Sequence, residues 1–284
     1  MNFTLGLALA IISMLLLSIQ DLILARASRI IGALRVSFWY LFVSVIIFIG
    51  ISVILFTKMP VNTYTVGLIL LSGAFSAMGI TSFTKGLSVG NISVVAPIAA
   101  EWGMVTAILG TVFLGEVLGS LQFLLIAIIL IGTFLAAVPN GGMKRGKKLL
   151  SGVPYAVSAL IGWGIYFFIL AILVGQIGWF DTSFLPILAT VMFLFAYARV
   201  SHSQLKPVKP AFYEVLAVAI LSVLSLMAYN AALLFTYVDI VAPINAAAMA
   251  ITVLFAFILF KERLSVKQLI GIAMIIAGIV ALVA

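Results

Sequence analysis

Hydrophobic positions along this chain come in long unbroken runs and lack the alternation or narrow stripes typical of half-buried strands and helices. A bilayer core about 30 Å thick is crossed by about 20 apolar residues in a helix. Ten runs of this kind predict ten transmembrane helices, over residues 4–25, 36–56, 65–84, 91–114, 120–138, 152–174, 182–200, 213–235, 239–260 and 265–283. The breaks between them carry turn residues or charge and are too short for a soluble domain. The sequence therefore predicts an all-α integral membrane protein that acts within the bilayer.

Composition supports this class. Of 284 residues, 65% are hydrophobic and 8% are charged, against about 25% charged in soluble domains. A water-soluble fold of this size would lack the polar surface to cover its core. The net charge of +8 sits in short clusters between apolar runs. This favours topology signals and contacts with anionic lipids over nucleic-acid binding.

The distribution of basic residues predicts the orientation. Of 15 Lys and Arg residues, all except Lys58 lie in or beside loops that follow odd-numbered spans. Because Lys and Arg concentrate in cytoplasmic loops, both termini are predicted to lie outside the cytoplasm of a multi-pass inner (plasma) membrane protein. The first apolar run has no basic segment before it, so it is expected to be a retained span and not a cleaved signal.

The chain repeats itself with an offset of 146 residues. Val95-Ala96-Pro97-Ile98 aligns with Val241-Ala242-Pro243-Ile244, and Glu116-x-Leu118 aligns with Glu262-x-Leu264. Matched Pro and Glu are informative because both are scarce here. The predicted division is 1–139 and 151–284 as five-helix repeats, with 140–150 as a basic linker. An odd number of spans per repeat makes the two copies inverted, as in many secondary transporters.

Further motifs resemble the EamA-type ten-helix branch of the drug/metabolite transporter superfamily. Trp163-Gly164-Ile165-Tyr166 is similar to that family's Trp-Gly element, and Asn230-Ala231-Ala232-Leu233 to its Ala-Leu element. The resemblance covers essentially the whole chain and implies transport of a small metabolite. There are departures: Leu17-Ser18 stands where an aromatic-Gly element is expected, and the Glu116 turn lacks the basic residue that follows Glu262. The family's usual cytoplasmic termini are opposite to the orientation predicted from charge.

Glu101 is the most central ionisable residue of any predicted span. It follows Pro97 by four residues, about one helical turn, and Pro97 frees a backbone carbonyl one turn earlier. Such freed groups are tolerated where they line a wet cavity, and intramembrane carboxylates are costly and usually functional. We therefore expect Glu101 to couple protons or hold a cationic substrate group. The alternative is a hydrogen bond between helices that serves packing.

Polar and aromatic residues form a weaker set. The family fold would turn these residues toward a central cavity: Gln20, Trp102, Trp163, Tyr166, Tyr229, Asn230 and Asn245. Pro97 and its repeat partner Pro243 are further candidate site residues. Trp and Tyr also form ordinary interface belts. Asp21 and Lys85 are expected at the membrane rim, Glu116 and Glu262 as helix caps or hairpin fixers, and His202 in solvent. Gly73, Ala77, Gly79 and the Ala246-Ala247-Ala248 run are expected to serve close helix packing.

No cofactor, metal site or nucleic-acid partner is predicted. The chain has no cysteine and a single histidine, and it lacks Walker, Rossmann, His-Glu-x-x-His and Gly-x-Ser-x-Gly patterns. The expected partners are a small-molecule substrate and membrane lipids, with a monomer or homodimer as the assembly. The leading hypothesis is a secondary transporter, and the alternatives are an uncoupled facilitator, an intramembrane enzyme or a structural partner.

Overall fold

The computed structural model describes residues 2–55, 62–90, 92–116, 119–137, 151–206, 209–260 and 265–283, and every regular element in these ranges is helical. A π-helical turn, Gly110–Leu114, follows α5, and a 3-10 turn, Lys209–Ala211, precedes α8. The α-helices in chain order are α1 (Phe3–Ile31), α2 (Ala33–Leu55), α3 (Thr63–Val89), α4 (Ile92–Ala100), α5 (Trp102–Leu109), α6 (Ser120–Ala137), α7 (Val153–Val200), α8 (Phe212–Ala232), α9 (Val238–Ala246), α10 (Ala248–Phe260) and α11 (Val266–Val283).

Most of the helical segments are long and apolar enough to cross a membrane. Within the described residues, seven segments are long and apolar enough to span a bilayer, and Ser120–Ala136 and Val266–Leu282 are shorter apolar helices. Large apolar side chains such as Ile54, Phe113 and Phe123 point outward and are about two-thirds exposed or more. This is the surface that lipid would cover. The predicted class, an all-helical integral membrane protein, is confirmed.

Helix α7 differs from the prediction, which placed a loop between residues 174 and 182. The helix instead runs for 48 residues and is broken at Gly178, whose φ is 81°. Glycine adopts this backbone region without a Cβ clash, so one residue redirects the chain. We call residues 153–177 the first arm of α7 and residues 179–200 the second arm. The second arm begins inside the bundle.

The predicted spans 91–114 and 239–260 are each interrupted. Glu101 separates α4 from α5, and Ala247 separates α9 from α10. Each break follows a proline by four residues, Pro97 in α4 and Pro243 in α9. The two breaks are therefore related by the 146-residue offset. Glu101 lies at a helix break and not within a continuous helix.

Close contacts repeat with the same offset. A Cβ added to Gly132 on α6 would lie 3.0 Å from Ile275 on α11, and one on Gly278 would lie 2.7 Å from Ile129. The offset converts the first pair into the second. Likewise, a Cβ on Gly6 would lie 2.9 Å from Thr236, and one on Gly152 would lie 2.9 Å from Gly90. The two halves thus pack their helices in equivalent ways.

Helix pairs between the halves are also joined by serines. Helix α1 packs along α8, where Ser13 Oγ donates to the Ser225 carbonyl oxygen at 2.8 Å and Ser225 Oγ donates to the Ser13 carbonyl oxygen at 3.0 Å. Helix α3 packs along α7, where the hydroxyls of Ser82 and Ser158 are 3.0 Å apart. Small residues and hydroxyls at such seams are typical of packing in membranes, where they allow close approach and keep polar groups bonded.

Candidate functional site

Glu101 stands at the break between α4 and α5, about midway along the segment Val94–Leu114. The side chain is partly buried, and its Oε1 atom is fully buried without a hydrogen-bond partner. The backbone turns tightly here, since Met104 N–H donates to the Glu101 carbonyl oxygen at 3.0 Å. A buried carboxylate oxygen without a donor is costly in apolar surroundings. The break therefore holds a carboxyl group that a proton or a cationic ligand would satisfy.

An aromatic group adjoins this break. The Trp102 ring stacks on Phe167 with 4.0 Å between centroids. Phe167 also contacts Tyr166 at 4.9 Å and Tyr229 at 4.8 Å. The structure thus brings three predicted residues, from α5, α7 and α8, around one phenylalanine that the prediction left out. The Tyr229 hydroxyl is buried without a partner, so this group has a polar atom free to meet a ligand.

Trp163 turns away from that group. Its ring lies 5.4 Å from Phe83 on α3, and a Cβ on Gly79 would be 2.6 Å from its indole. The indole thus occupies the space that a side chain at position 79 would need. Gly79 therefore serves close packing as predicted. Gly73 does the same against Ala189 on the second arm of α7. The Trp163 ring therefore packs in the seam between α3 and α7, although residue 163 lies on the same face of α7 as Phe167.

Asn230 lies in a second polar group, at the start of the second arm of α7. Its Nδ2 donates to Ser183 Oγ at 2.9 Å, while its Oδ1 has no partner. Asp181 and Thr182, which precede Ser183 in α7, are 6% and 0% exposed, and each has a buried oxygen without a partner. The start of the second arm therefore holds several buried polar side chains, of which Ser183 contacts Asn230. The sequence pattern missed Asp181 because it fell in the predicted loop.

Asn245 belongs to a packing contact. Its Nδ2 donates to Ser13 Oγ at 2.6 Å, which connects α9 to the serine pair between α1 and α8. Pro243 is buried within α9, and Gln20 is buried on α1 at 5% exposure. Pro97 is likewise buried within α4. These four residues are all buried in the bundle.

Asp21 lies farther from the end of its helix than the sequence predicts. Helix α1 continues to Ile31 instead of ending near residue 25, so Asp21 lies well inside the helix. Its carboxyl is within electrostatic range of the Tyr40 hydroxyl, which in turn is within range of Tyr166.

Glu116 caps a helix as predicted, but the helix belongs to the other half. Its Oε1 accepts the Val238 N–H at 3.2 Å and its Oε2 accepts the Asp239 N–H at 3.1 Å. The first turn of α9 is therefore capped by a carboxylate of the first half, which follows α5 and its π-helical turn. Asp239 had no part in the sequence-based prediction, because a carboxylate at the start of an apolar run is typical of a solvated boundary. Glu262 lies outside the described residues.

A shallow pocket of about 640 Å³ opens at the end of the bundle that carries Lys85 and Arg35. It is lined by the end of α1, the start of α2, the end of α3 and the residues after α7. Lys85 is exposed at its edge, as expected for a rim residue, and His202 is exposed beyond the end of α7. None of the predicted site residues lines this pocket.

The chain is similar to a solved structure and to a family model. No curated protein matches it. Among the solved structures that match, one described as "Crystal structure of protein" has a TM-score of 0.82 at 14% identity and covers 96% of this chain and 94% of its own. Its likeness concerns the fold alone. The model of the EamA-like transporter family matches twice, at residues 4–138 and 150–284. The predicted resemblance is confirmed, and this chain belongs to the EamA-like transporter family.

Proposed function

We propose that this protein is a secondary transporter that moves a small organic metabolite, such as an amino acid or a related compound, by alternating access. The family and the membrane-spanning helices establish the general class, a membrane transporter of small molecules. The observation that carries the finer proposal is Glu101. A carboxyl with a buried unpartnered oxygen stands at a helix break in mid-span, next to a stacked aromatic group.

We propose ten spans arranged as two inverted repeats. The 48 residues of α7 would extend ~70 Å at ~1.5 Å per residue, more than two crossings of a ~30 Å core. The break at Gly178 divides it into two spans, and α6 and α11 add the short ones. Five spans per half give opposite orientations. The contacts related by the 146-residue offset support this arrangement, with residues 1–139 and 151–284 as the repeats.

Alternating access fits the positions of the helix breaks. In many inverted-repeat transporters, discontinuous helices form a site near mid-membrane, and the two repeats move around it. Here the breaks at Glu101 and Ala247 are repeat-related, but the carboxyl is present at one of them. The charge is therefore not a symmetric part of the scaffold. This asymmetry supports a role for Glu101 in binding or coupling.

Glu101, Trp102, Tyr166 and Tyr229 form the proposed site, with Phe167 at its centre. Aromatic faces would cover the apolar part of a small amphipathic substrate, and the hydroxyl and carboxyl groups would bind its polar part. Pro97 and Pro243 shape the interrupted helices, and Asn230, Asn245, Gln20 and Trp163 support the surrounding walls. An uncoupled facilitator is the alternative, in which Glu101 would bind substrate but carry no proton.

Flux into proteoliposomes tests this proposal. A panel of labelled metabolites is offered to the wild-type protein with and without a pH gradient. Glu101→Gln keeps the volume and the hydrogen bonding but removes the titration. We expect the variant to fold normally and to lose flux, or to lose its dependence on the pH gradient.

Glu214→Gln is the matched control, because Glu214 is a carboxylate near the end of the bundle, 3.6 Å from Arg26. It should retain the wild-type flux and pH profile. A wild-type profile in a well-folded Glu101→Gln would assign Glu101 to helix packing. Flux that depends on Glu101 but ignores the pH gradient would favour the uncoupled facilitator.

A further inference from the structure

Two acidic residues from opposite halves meet at the end of the bundle that lies away from Lys85. Glu116 follows the π-helical turn of the first half, and Asp239 is in the first turn of α9 in the second half. Oxygens of both carboxyl groups, Asp239 Oδ1 and Glu116 Oε2, lie against the same backbone position, Gly110. Asp239 is 0% exposed. Within the described residues, no ion pair joins either carboxyl group to a Lys or Arg side chain.

The two carboxyl groups have one hydrogen-bond donor fewer than they have oxygens. Asp239 Oδ2 accepts from Thr111 Oγ1 at 2.8 Å. Both oxygens of Glu116 accept backbone N–H groups, from Val238 and Asp239. The fourth oxygen, Asp239 Oδ1, is fully buried without a partner. Three of four oxygens thus have a donor, and one donor is missing.

The unpartnered Asp239 Oδ1 and the Oε2 atom of Glu116 lie on the same side of Gly110. A Cβ added to Gly110 would collide with Asp239 Oδ1 and lie 3.2 Å from Glu116 Oε2. Both oxygens therefore face the same point beside the Gly110 backbone, where the glycine leaves space for them. Two carboxylates this close cannot both stay ionised at low cost in an apolar environment. One proton between them would remove a charge and supply the missing donor.

We propose that Glu116 and Asp239 form a site that binds one proton and links the two halves of the transporter at this end of the bundle. The proton sits on Asp239 Oδ1 and is donated to Glu116 Oε2. Glu116 keeps its cap on α9 in this state. A metal cation would need more oxygen ligands, and three of the four oxygens are already occupied by N–H or O–H donors. This site is separate from Glu101 and does not depend on the proposed transport activity.

Loss of the proton leaves two adjacent carboxylates, so the contact between the halves weakens as the pH rises. Among the described residues, Tyr229 on α8 is a further ionisable group near the pair, and its hydroxyl interacts electrostatically with Glu116. Deprotonation of the pair would therefore change the electrostatic potential at the Tyr229 hydroxyl, which belongs to the aromatic group. This gives the site a physical connection to the rest of the bundle.

Asp239→Asn tests the site without measuring transport. The amide oxygen can still accept from Thr111, and the amide N–H2 supplies permanently the donor that the proton is proposed to supply. In the purified full-length protein, infrared difference spectra between mildly acidic and alkaline buffer should show a protonated carboxyl C=O band in the wild type. The band should be missing from Asp239→Asn and present in Glu101→Gln. Identical bands in wild type and Asp239→Asn would overturn the proposal.

Thermal unfolding gives a second measurement. The midpoint of wild-type unfolding should fall as the buffer becomes alkaline, and this fall should be smaller in Asp239→Asn. Glu116→Gln should lower the midpoint at every pH, because an NH2 group replaces one of the two accepting oxygens and leaves one backbone N–H of α9 without its acceptor. An equal alkaline fall in wild type and Asp239→Asn would refute the shared proton. Stabilisation by NaCl over choline chloride that Asp239→Asn abolishes would assign the site to a sodium ion instead.

Discussion

Gly103 is the position where a single methyl group should most clearly damage the contact between the two halves. It lies in α5, buried against α9. A Cβ built there would be 2.8 Å from the carbonyl oxygen of Ala242, 2.8 Å from the Cβ of Ala246 and 3.1 Å from the Ala242 carbonyl carbon. Two of these atoms are backbone, so a side-chain rotation cannot relieve the clash. Gly103→Ala must move one helix relative to the other.

The expected size of the effect follows from two opposing terms. Overpacking in a tight core costs about 1–3 kcal/mol. Replacing Gly by Ala in a helix returns up to about 1 kcal/mol, and less near a helix end. The net loss should be about 1–2 kcal/mol. At about 2–4 °C per kcal/mol for a large domain, the unfolding midpoint should fall by several degrees.

Gly67→Ala is the matched control. Gly67 lies in α3, is exposed, and a Cβ added to it would have no neighbouring atom within 4 Å. The same substitution there should leave the midpoint unchanged or raise it. Both variants are unfolded thermally in detergent, with tryptophan fluorescence as the signal. A midpoint for Gly103→Ala equal to or above that of Gly67→Ala would refute the close packing of α5 against α9.

Three other outcomes are expected. Phe167→Leu should lower substrate flux more than stability, because it removes the ring that stacks on Trp102 but retains apolar volume. Flux and the unfolding midpoint are measured on the same preparation. Asn245→Ala should cost about 1–3 kcal/mol by leaving Ser13 with fewer partners in an apolar seam, measured by thermal unfolding; an unchanged midpoint would contradict the contact. Alkaline phosphatase fused after Ala284 should be active, because nearly all basic residues lie in loops on the opposite side of the membrane. A bright cytoplasmic reporter at the same position would contradict this orientation.

Helix breaks show how far local sequence signals reach. Pro97 and Pro243 mark both interrupted spans, because a proline removes a backbone donor wherever it stands. Their presence does not predict that the chain breaks four residues later, at Glu101 and Ala247. That distance depends on how α5 and α10 pack against their neighbours. Gly178 is similar, since glycine permits the break in α7 but neighbouring helices determine that no loop is needed.

The candidate site shows the same division. Glu101, Trp102, Tyr166 and Tyr229 could be chosen from the sequence, because a charge in an apolar run and polar-tipped aromatics are rare enough to be noticed. Phe167 was missed, since one phenylalanine among many apolar residues has no distinguishing signal. Trp163 and Asn245 were chosen with the others, yet their contacts belong to packing seams. Residue type alone does not specify which face of a membrane helix meets the centre, because lipid and protein interior are both apolar.

Composition and patterns along the chain are sufficient to establish the solvent, the helical class, the two-fold repetition and the family. The bilayer forces apolar runs to become helices whatever their neighbours are, so these properties need no knowledge of the fold. Which residues meet depends instead on how the helices cross. Asp239 and Glu116 are more than a hundred positions apart, and both look like ordinary boundary carboxylates. Only the crossing of α5 and α9 brings them together, where burial leaves one oxygen without a donor.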